Sequence, residues 1–362
     1  MKMKKKLNSA DAMRLLEKMV GTLSVSRSER GTSDLLMKFL EEQGVEANRI
    51  FNNIWAKGRY WDDSKPTLML NSHHDTVKPS DAYTNSPTDA FHKDGKLFGL
   101  GSNDAGASVV SLLVTFCNHQ AEDLPFNLLL DLSAEEEVMG EHGIRAALPE
   151  FEKTGIKIDA ALIGEPTGME AAVGERGLVV LDCTAHGKQG HAARNEGINA
   201  IYKAVRDIEL LQNFEWDEES SLLGPIKMTT TMIEAGVQHN VVPDTCKFVV
   251  DIRTTDAYTN EEVVDILAKA MESEIHPRST HIRASAISES HPMVQAALRI
   301  GRGTYISPTT SDMALMHFPT LKMGPGQSCR SHSADEFVLE TEVMEGVALY
   351  EKWFQELTKT GI

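Results

Sequence analysis

Short apolar runs that stop abruptly at turn residues recur through the first half of the chain. Thr67-Leu68-Met69-Leu70 runs into Ser72-His73-His74-Asp75-Thr76. Phe126-Asn127-Leu128-Leu129-Leu130-Asp131-Leu132 runs into Glu135-Glu136-Glu137, and Asp159-Ala160-Ala161-Leu162-Ile163 into Gly164-Glu165-Pro166. Runs of this length and bounding read as buried strands of a parallel sheet. Helical stripes fall between and around them. Met13, Leu15, Leu16, Met19, Val20 and Leu23 share one face over residues 10–24, and a second helix starts near Thr32-Ser33 and stops at Gly44. Ile50–Tyr60 and Pro66–Ser72 read as strands, Ser108 to Cys117 as an apolar helix, and residues 141–153 as another helix. The alternation predicts an α/β core.

Near Arg176-Gly177 the pattern changes. A strand (Leu178–His186), a helix (Asn199–Leu211) and two strands (Ile226–Ala235, Cys246–Thr254) come first, followed by a helix (Asn260–Glu272) and a strand (His281–Ile287). That β-α-β-β-α-β order is ferredoxin-like and makes a small complete domain. Met293–Arg299 then resumes as helix, Thr320–Gly324 as strand and Val338–Leu357 as a closing amphipathic helix. The expectation is a host domain over 1–177 and 288–362 with residues 178–287 inserted.

A chain of 362 residues suits two domains, and 41% apolar content can fill their cores. A net charge of −17 argues against nucleic acid or an anionic membrane as partner. No apolar run approaches the roughly 20 residues that span a bilayer. Basic Met1-Lys2-Met3-Lys4-Lys5-Lys6 leads into no long apolar segment, so a signal peptide is not expected. Cys117, Cys183, Cys246 and Cys329 lack CxxC spacing, which points to a reducing compartment and a cytoplasmic protein.

Ligands of open α/β sheets collect beyond the carboxyl ends of the strands. One imidazole-bearing loop and two carboxylate-bearing loops should therefore converge on one rim, the make-up of a metal centre. In an extended segment His73 and Asp75 share a face and His74 points away; a metal-bound imidazole commonly donates its other N–H to a carboxylate. Asp104 sits in Gly99-Leu100-Gly101-Ser102-Asn103-Asp104-Ala105-Gly106, whose glycines miss the GxGxxG spacing. It could bridge two cations or simply cap a helix. Three adjacent glutamates repel unless a cation balances them; one could bind metal while its neighbour stays free as a base. Glu165 and the late His332 would add donors. HExxH and GxSxG motifs are absent.

The order of these motifs resembles the dinuclear zinc amidohydrolases and peptidases, a family that includes acetylornithine deacetylase, succinyl-diaminopimelate desuccinylase and glutamate carboxypeptidase. The likeness runs from His73-His74-Asp75 (family H-x-D) through Gly101-Ser102-Asn103-Asp104 and Glu135-Glu136-Glu137 (family D-E-E) to Gly164-Glu165-Pro166-Thr167 and His332. Gly190-His191-Ala192 and Asn240-Val241-Val242-Pro243-Asp244 resemble its lid motifs. The resemblance implies a zinc-peptidase-like α/β domain with a mostly parallel sheet, and an inserted ferredoxin-like lid that makes a homodimer. It further implies two Zn²⁺, with Co²⁺ or Mn²⁺ as substitutes. His73 and Glu165 would hold one ion, Glu137 and His332 the other, and Asp104 both. Glu136 would be the general base, Asp75 the partner of His73, and His191 the stabiliser of the oxyanion in a partner subunit's site. Arg176, Asn240, Arg253 and Thr310 would face the substrate.

Two departures matter. Asp-Glu-Glu is Glu135-Glu136-Glu137 here, so a one-residue slip would move base and ligand to Glu135 and Glu136. The diaminopimelate branch follows Thr-Ser-Asp with x-Arg, whereas this chain has Thr310-Ser311-Asp312-Met313-Ala314. The expected activity is deacylation of an N-acyl amino acid, N-acetylornithine or N-succinylornithine first, in arginine biosynthesis. Alternatives are succinyl-diaminopimelate desuccinylation, a di- or aminopeptidase, and a ligand-binding homologue without turnover.

Overall fold

The computed structural model describes residues 6–194 and 196–362; most of the basic N-terminal stretch lies outside them. Contacts divide the chain into two units. One comprises Met1–Val173, Ile287–Ile306 and Ser311–Ile362, the other Gly174–Ala286 and Ser307–Thr310.

The larger unit is built on a mixed sheet. Four parallel strands lie side by side at its centre in the order Asn127–Ser133, Thr67–His73, Ala160–Ile163, Thr320–Lys322. The antiparallel pair Ala47–Ile50 and Asn53–Lys57 flanks one side, and Ala171–Glu175 pairs antiparallel with Thr320–Lys322 on the other. All seven residues of Thr67–His73 and of Asn127–Ser133 are buried, as continuous apolar runs of a covered parallel sheet require. Helix Ala107–His119 is buried almost throughout. Helix Glu340–Thr360 hides Val343, Val347, Tyr350, Trp353, Phe354 and Leu357 on one stripe, each large side chain contributing about 1.5–3 kcal/mol of burial. Helix Ser9–Val20 starts at Asn8, whose side chain accepts the N–H groups of Ala10 and Asp11 while Asp11 returns a bond to the Asn8 N–H.

The expected strand over Ile50–Tyr60 is instead a tight hairpin between Ala47–Ile50 and Asn53–Lys57. Phe51 at its tip has φ +53° and is exposed, so the turn uses an apolar residue where pattern reading expects continuation.

The second unit has its own core of Val179, Leu181, Phe248, Val250, Ile252, Val263 and Leu267, among others. Its sheet runs Lys227–Ala235, Thr245–Thr254, Gly177–His186, Glu274–Pro277, all antiparallel, with helices Ala200–Gln212 and Asn260–Ala270. This is the ferredoxin-like arrangement, with one correction. The last strand is Glu274–Pro277, not His281–Ile287; of the latter only Ser285–Ala286 is strand, paired with Gly174 and Glu175. The true strand lies at the sheet edge and carries Glu274, His276 and Pro277. An exposed polar edge has no apolar alternation to betray it.

Candidate metal centre

The parallel strands end on one rim, and the chemistry-bearing loops start there. His73 closes Thr67–His73; Glu136–Val138 form a short turn just past Asn127–Ser133; Glu165 follows Ala160–Ile163. Asp104 precedes helix Ala107–His119, and His332 follows the last parallel strand with φ +57°.

These loops converge. Ligand atoms of His73, Asp104 and Glu137 lie within 4.8 Å of one another. His73 Nε2 is 3.3 Å from Asp104 Oδ1, 3.5 Å from Glu165 Oε1 and 3.9 Å from Glu136 Oε2. His332 Nε2 is 2.8 Å from Glu137 Oε2 and 3.6 Å from Asp104 Oδ2. His74 turns away, bonded to Thr32 Oγ1 and the Asn52 carbonyl, as alternation along the strand dictates.

The three glutamates separate. Glu135, at φ +55°, points its carboxylate back to the His142 N–H and ring. Glu136 and Glu137 face the cluster, the first toward His73 and the second toward His332. Asp75 secures them: its carboxylate accepts the Glu136 and Glu137 N–H groups at 3.1 and 3.3 Å and the Ser26 hydroxyl at 2.7 Å. Its Oδ1 is 3.5 Å from His73 Nδ1, which sits closer, at 3.1 Å, to the Asp75 carbonyl oxygen. Asp75 therefore braces the glutamate turn as much as it orients His73.

The remaining expected residues lie in the second unit. Arg176 donates to the Leu223 and Pro225 carbonyls, and Arg253 is paired with Asp251 through Nε at 2.8 Å. Both guanidinium groups are thus engaged within the unit. His191, exposed on Gly190–His191, accepts the Ala193 N–H on Nδ1; the Asn240 carbonyl accepts the Ala192 N–H. Thr310 is half-buried. Sequence reading missed Glu336, which is 1% exposed and whose carboxylate accepts the N–H groups of Gly101, Asn103 and Asp104. Its only signal is an acid four residues after His332.

The donor set fits a divalent metal pair. Burial lifts Glu165 to about 8, with Asp104 and Glu137 adding to the rise. Burial also raises Glu136 and Glu137 above the usual carboxylate range. His73 is raised well above its ordinary value: burial disfavours its charge, but Glu136, Glu165, Asp104 and Asp75 overcome it. Imidazole nitrogens and crowded carboxylates whose charge calls for a balancing cation are the ligands that zinc and similar ions take.

Comparison with known proteins agrees. Residues 173–279 match the peptidase dimerisation domain of the M20 peptidases. Succinyl-diaminopimelate desuccinylase of Paracoccus denitrificans is 28% identical over 268 residues, covering 70% of each chain. Among solved structures, aminopeptidase PepT from Bacillus cereus superposes with a TM-score of 0.75 at 18% identity, covering 98% of this chain and all of that one. Bacillus subtilis YXEP, described as a dinuclear metal binding peptidase from the M20 family, gives 0.67 at 18% identity, with 97% of both chains covered. The site brings together a donor set of the kind a divalent metal takes. The chain has the M20 peptidase fold, and its second unit matches the dimerisation domain of that family.

Proposed function

We propose that the chain removes the acyl group from an N-acyl amino acid, with an N-succinyl diamino acid, succinyl-diaminopimelate first, as substrate. The observation that carries the reading is the convergence of His73, Asp104, Glu137, Glu165 and His332 around a space that Glu136 also faces. His73 and Glu165 would hold one ion, Glu137 and His332 the other, with Asp104 between them. When bound, the ions supply Lewis acidity that polarises the amide carbonyl and acidifies the attacking water. Glu136 takes the proton of that water and delivers it to the departing amine. Asp75 keeps Glu136 and Glu137 in place through their backbone N–H groups. His191, from the lid of a second copy, would donate to the developing oxyanion. The matched dimerisation domain and the exposed Tyr202, Val205, Met232 and Ile233 support a homodimer through that lid.

The resemblance read from sequence points to N-acetylornithine. The curated relatives speak for the succinyl-diaminopimelate alternative instead, and placement in arginine biosynthesis finds no support in them. A peptidase is the second reading, favoured by one observation. Where the desuccinylase branch carries an arginine, this chain has Ala314, fully buried. Protein loaded with Zn²⁺ or Co²⁺, assayed on N-succinyl-diaminopimelate, N-acetylornithine, dipeptides and tripeptides, separates the readings. Cleavage of peptides with N-acyl amino acids untouched would overturn the deacylase.

A further inference from the structure

Glu336 is a buried acid with no place in the donor set, yet its side chain is wholly committed. Oε1 accepts the Asn103 and Asp104 N–H groups at 2.8 and 2.9 Å, and Oε2 accepts the Gly101 N–H at 3.1 Å. Its own carbonyl takes the Gly99 N–H at 2.9 Å. A few residues away a second clasp joins the same two loops. Asn103 Nδ2 donates to the Gln327 carbonyl at 3.1 Å, and Asn103 Oδ1 accepts the Gln327 N–H at 2.9 Å. Gly326 makes that approach possible: a Cβ there would sit 2.6 Å from Asn103 Oδ1. Gln327 and Glu336 bracket His332. The backbone bearing Asp104 is therefore tied on both sides of the segment bearing His332.

We infer that Glu336, seconded by Asn103, is a positioning residue that fixes Asp104 relative to His332 and so sets the metal geometry. Three backbone N–H groups converge on its two oxygens, which pins the loop at Gly101, Asn103 and Asp104 together. A 3.6 Å gap between Asp104 Oδ2 and His332 Nε2 leaves little slack for donors that must serve one ion pair. Glu336 touches neither substrate nor metal; it acts through the Asp104 main chain. The inference rests on the reading of Asp104 as a metal donor.

The test is Glu336→Gln in the full-length protein. The amide keeps one accepting oxygen but turns an NH₂ toward an N–H. Co²⁺ binding to the metal-free variant is followed by calorimetry and by the visible Co²⁺ spectrum, with kcat and KM measured alongside. Metal affinity should fall about 10- to 100-fold with an altered Co²⁺ spectrum, and kcat should fall more than KM rises. His119→Gln, remote from the centre, should lower Tm and leave the spectrum unmoved. Asp104→Asn reports on the underlying reading: if it too leaves Co²⁺ binding intact, Asp104 is no ligand. If Asp104→Asn changes the spectrum while Glu336→Gln lowers only Tm, the Glu336 inference alone is overturned. Should Glu336→Gln not fold, Asn103→Ser, which opens only the second clasp, is read the same way. An unchanged spectrum there refutes the inference.

Discussion

Glu136 and Glu137 are neighbours in sequence with different surroundings. Glu137 lies 2.8 Å from His332, whereas the nearest imidazole to Glu136 is His73 at 3.9 Å, and burial raises the Glu136 pKa. A carboxylate left uncoordinated beside an activated water is the arrangement a general base needs. Glu136→Gln should therefore cut kcat by about 10²- to 10⁴-fold while two metal ions per chain are retained by elemental analysis. Loss of metal along with activity would make Glu136 a ligand instead. At this scale the sequence is informative where chemistry crowds unusual residues together, as in His73-His74-Asp75 and Glu135-Glu136-Glu137. It is silent on Glu336, because an acid before a short strand looks like any solvated loop. Only the fold reveals that three N–H groups point at it.

Among the elements, buried runs were legible and edges were not. Thr67–His73, Asn127–Ser133 and Ala160–Ile163 are buried at every position, each around an apolar run that marks it in the sequence, because both faces are covered. Glu274–Pro277 and the hairpin tip at Phe51 obey no such pattern, since pairing and turn geometry rather than burial decide them. Two helices illustrate what pairing adds to packing. His119, ending Ala107–His119, bonds Glu122 through Nδ1 and Glu351 of helix Glu340–Thr360 through Nε2, both at 2.8 Å. Burial pulls its pKa down, but the two carboxylates outweigh that and raise it. A histidine whose folded pKa exceeds its unfolded value stabilises fully below the unfolded value of about 6.5 and loses that contribution as pH rises through the folded pKa. His119→Gln should therefore lower Tm most at pH 5–6, by an amount corresponding to about 1–2 kcal/mol, and less at pH 9. A gap that widens with pH would contradict the pairing.

For the whole molecule, the metal centre is also a stability term. With a formal net charge of −17 and four carboxyl groups crowded at one rim, Asp104 and Glu136 buried and Glu137 and Glu165 partly so, the folded chain without cations packs acids together that water would otherwise solvate. Free metal at 100 times its Kd adds about 2.7 kcal/mol to folding. Chelation should lower Tm, and restoring Zn²⁺ should raise it again in thermal scans. An unchanged Tm would show that the centre folds without help. The inserted unit has a further consequence. Gly174 and Ala286, where it begins and ends, face each other as strand partners, and such partners lie roughly 5 Å apart. The long excursion Gly174–Ala286 thus leaves and rejoins its host at adjacent positions, with Ser307–Thr310 a separate short return to the same unit. Splicing residue 173 to residue 287 with a two-residue turn should give a shortened protein that still takes up Co²⁺ yet sediments as a monomer. Such a truncation would separate the chemistry of the rim from the partnership proposed for the excised piece.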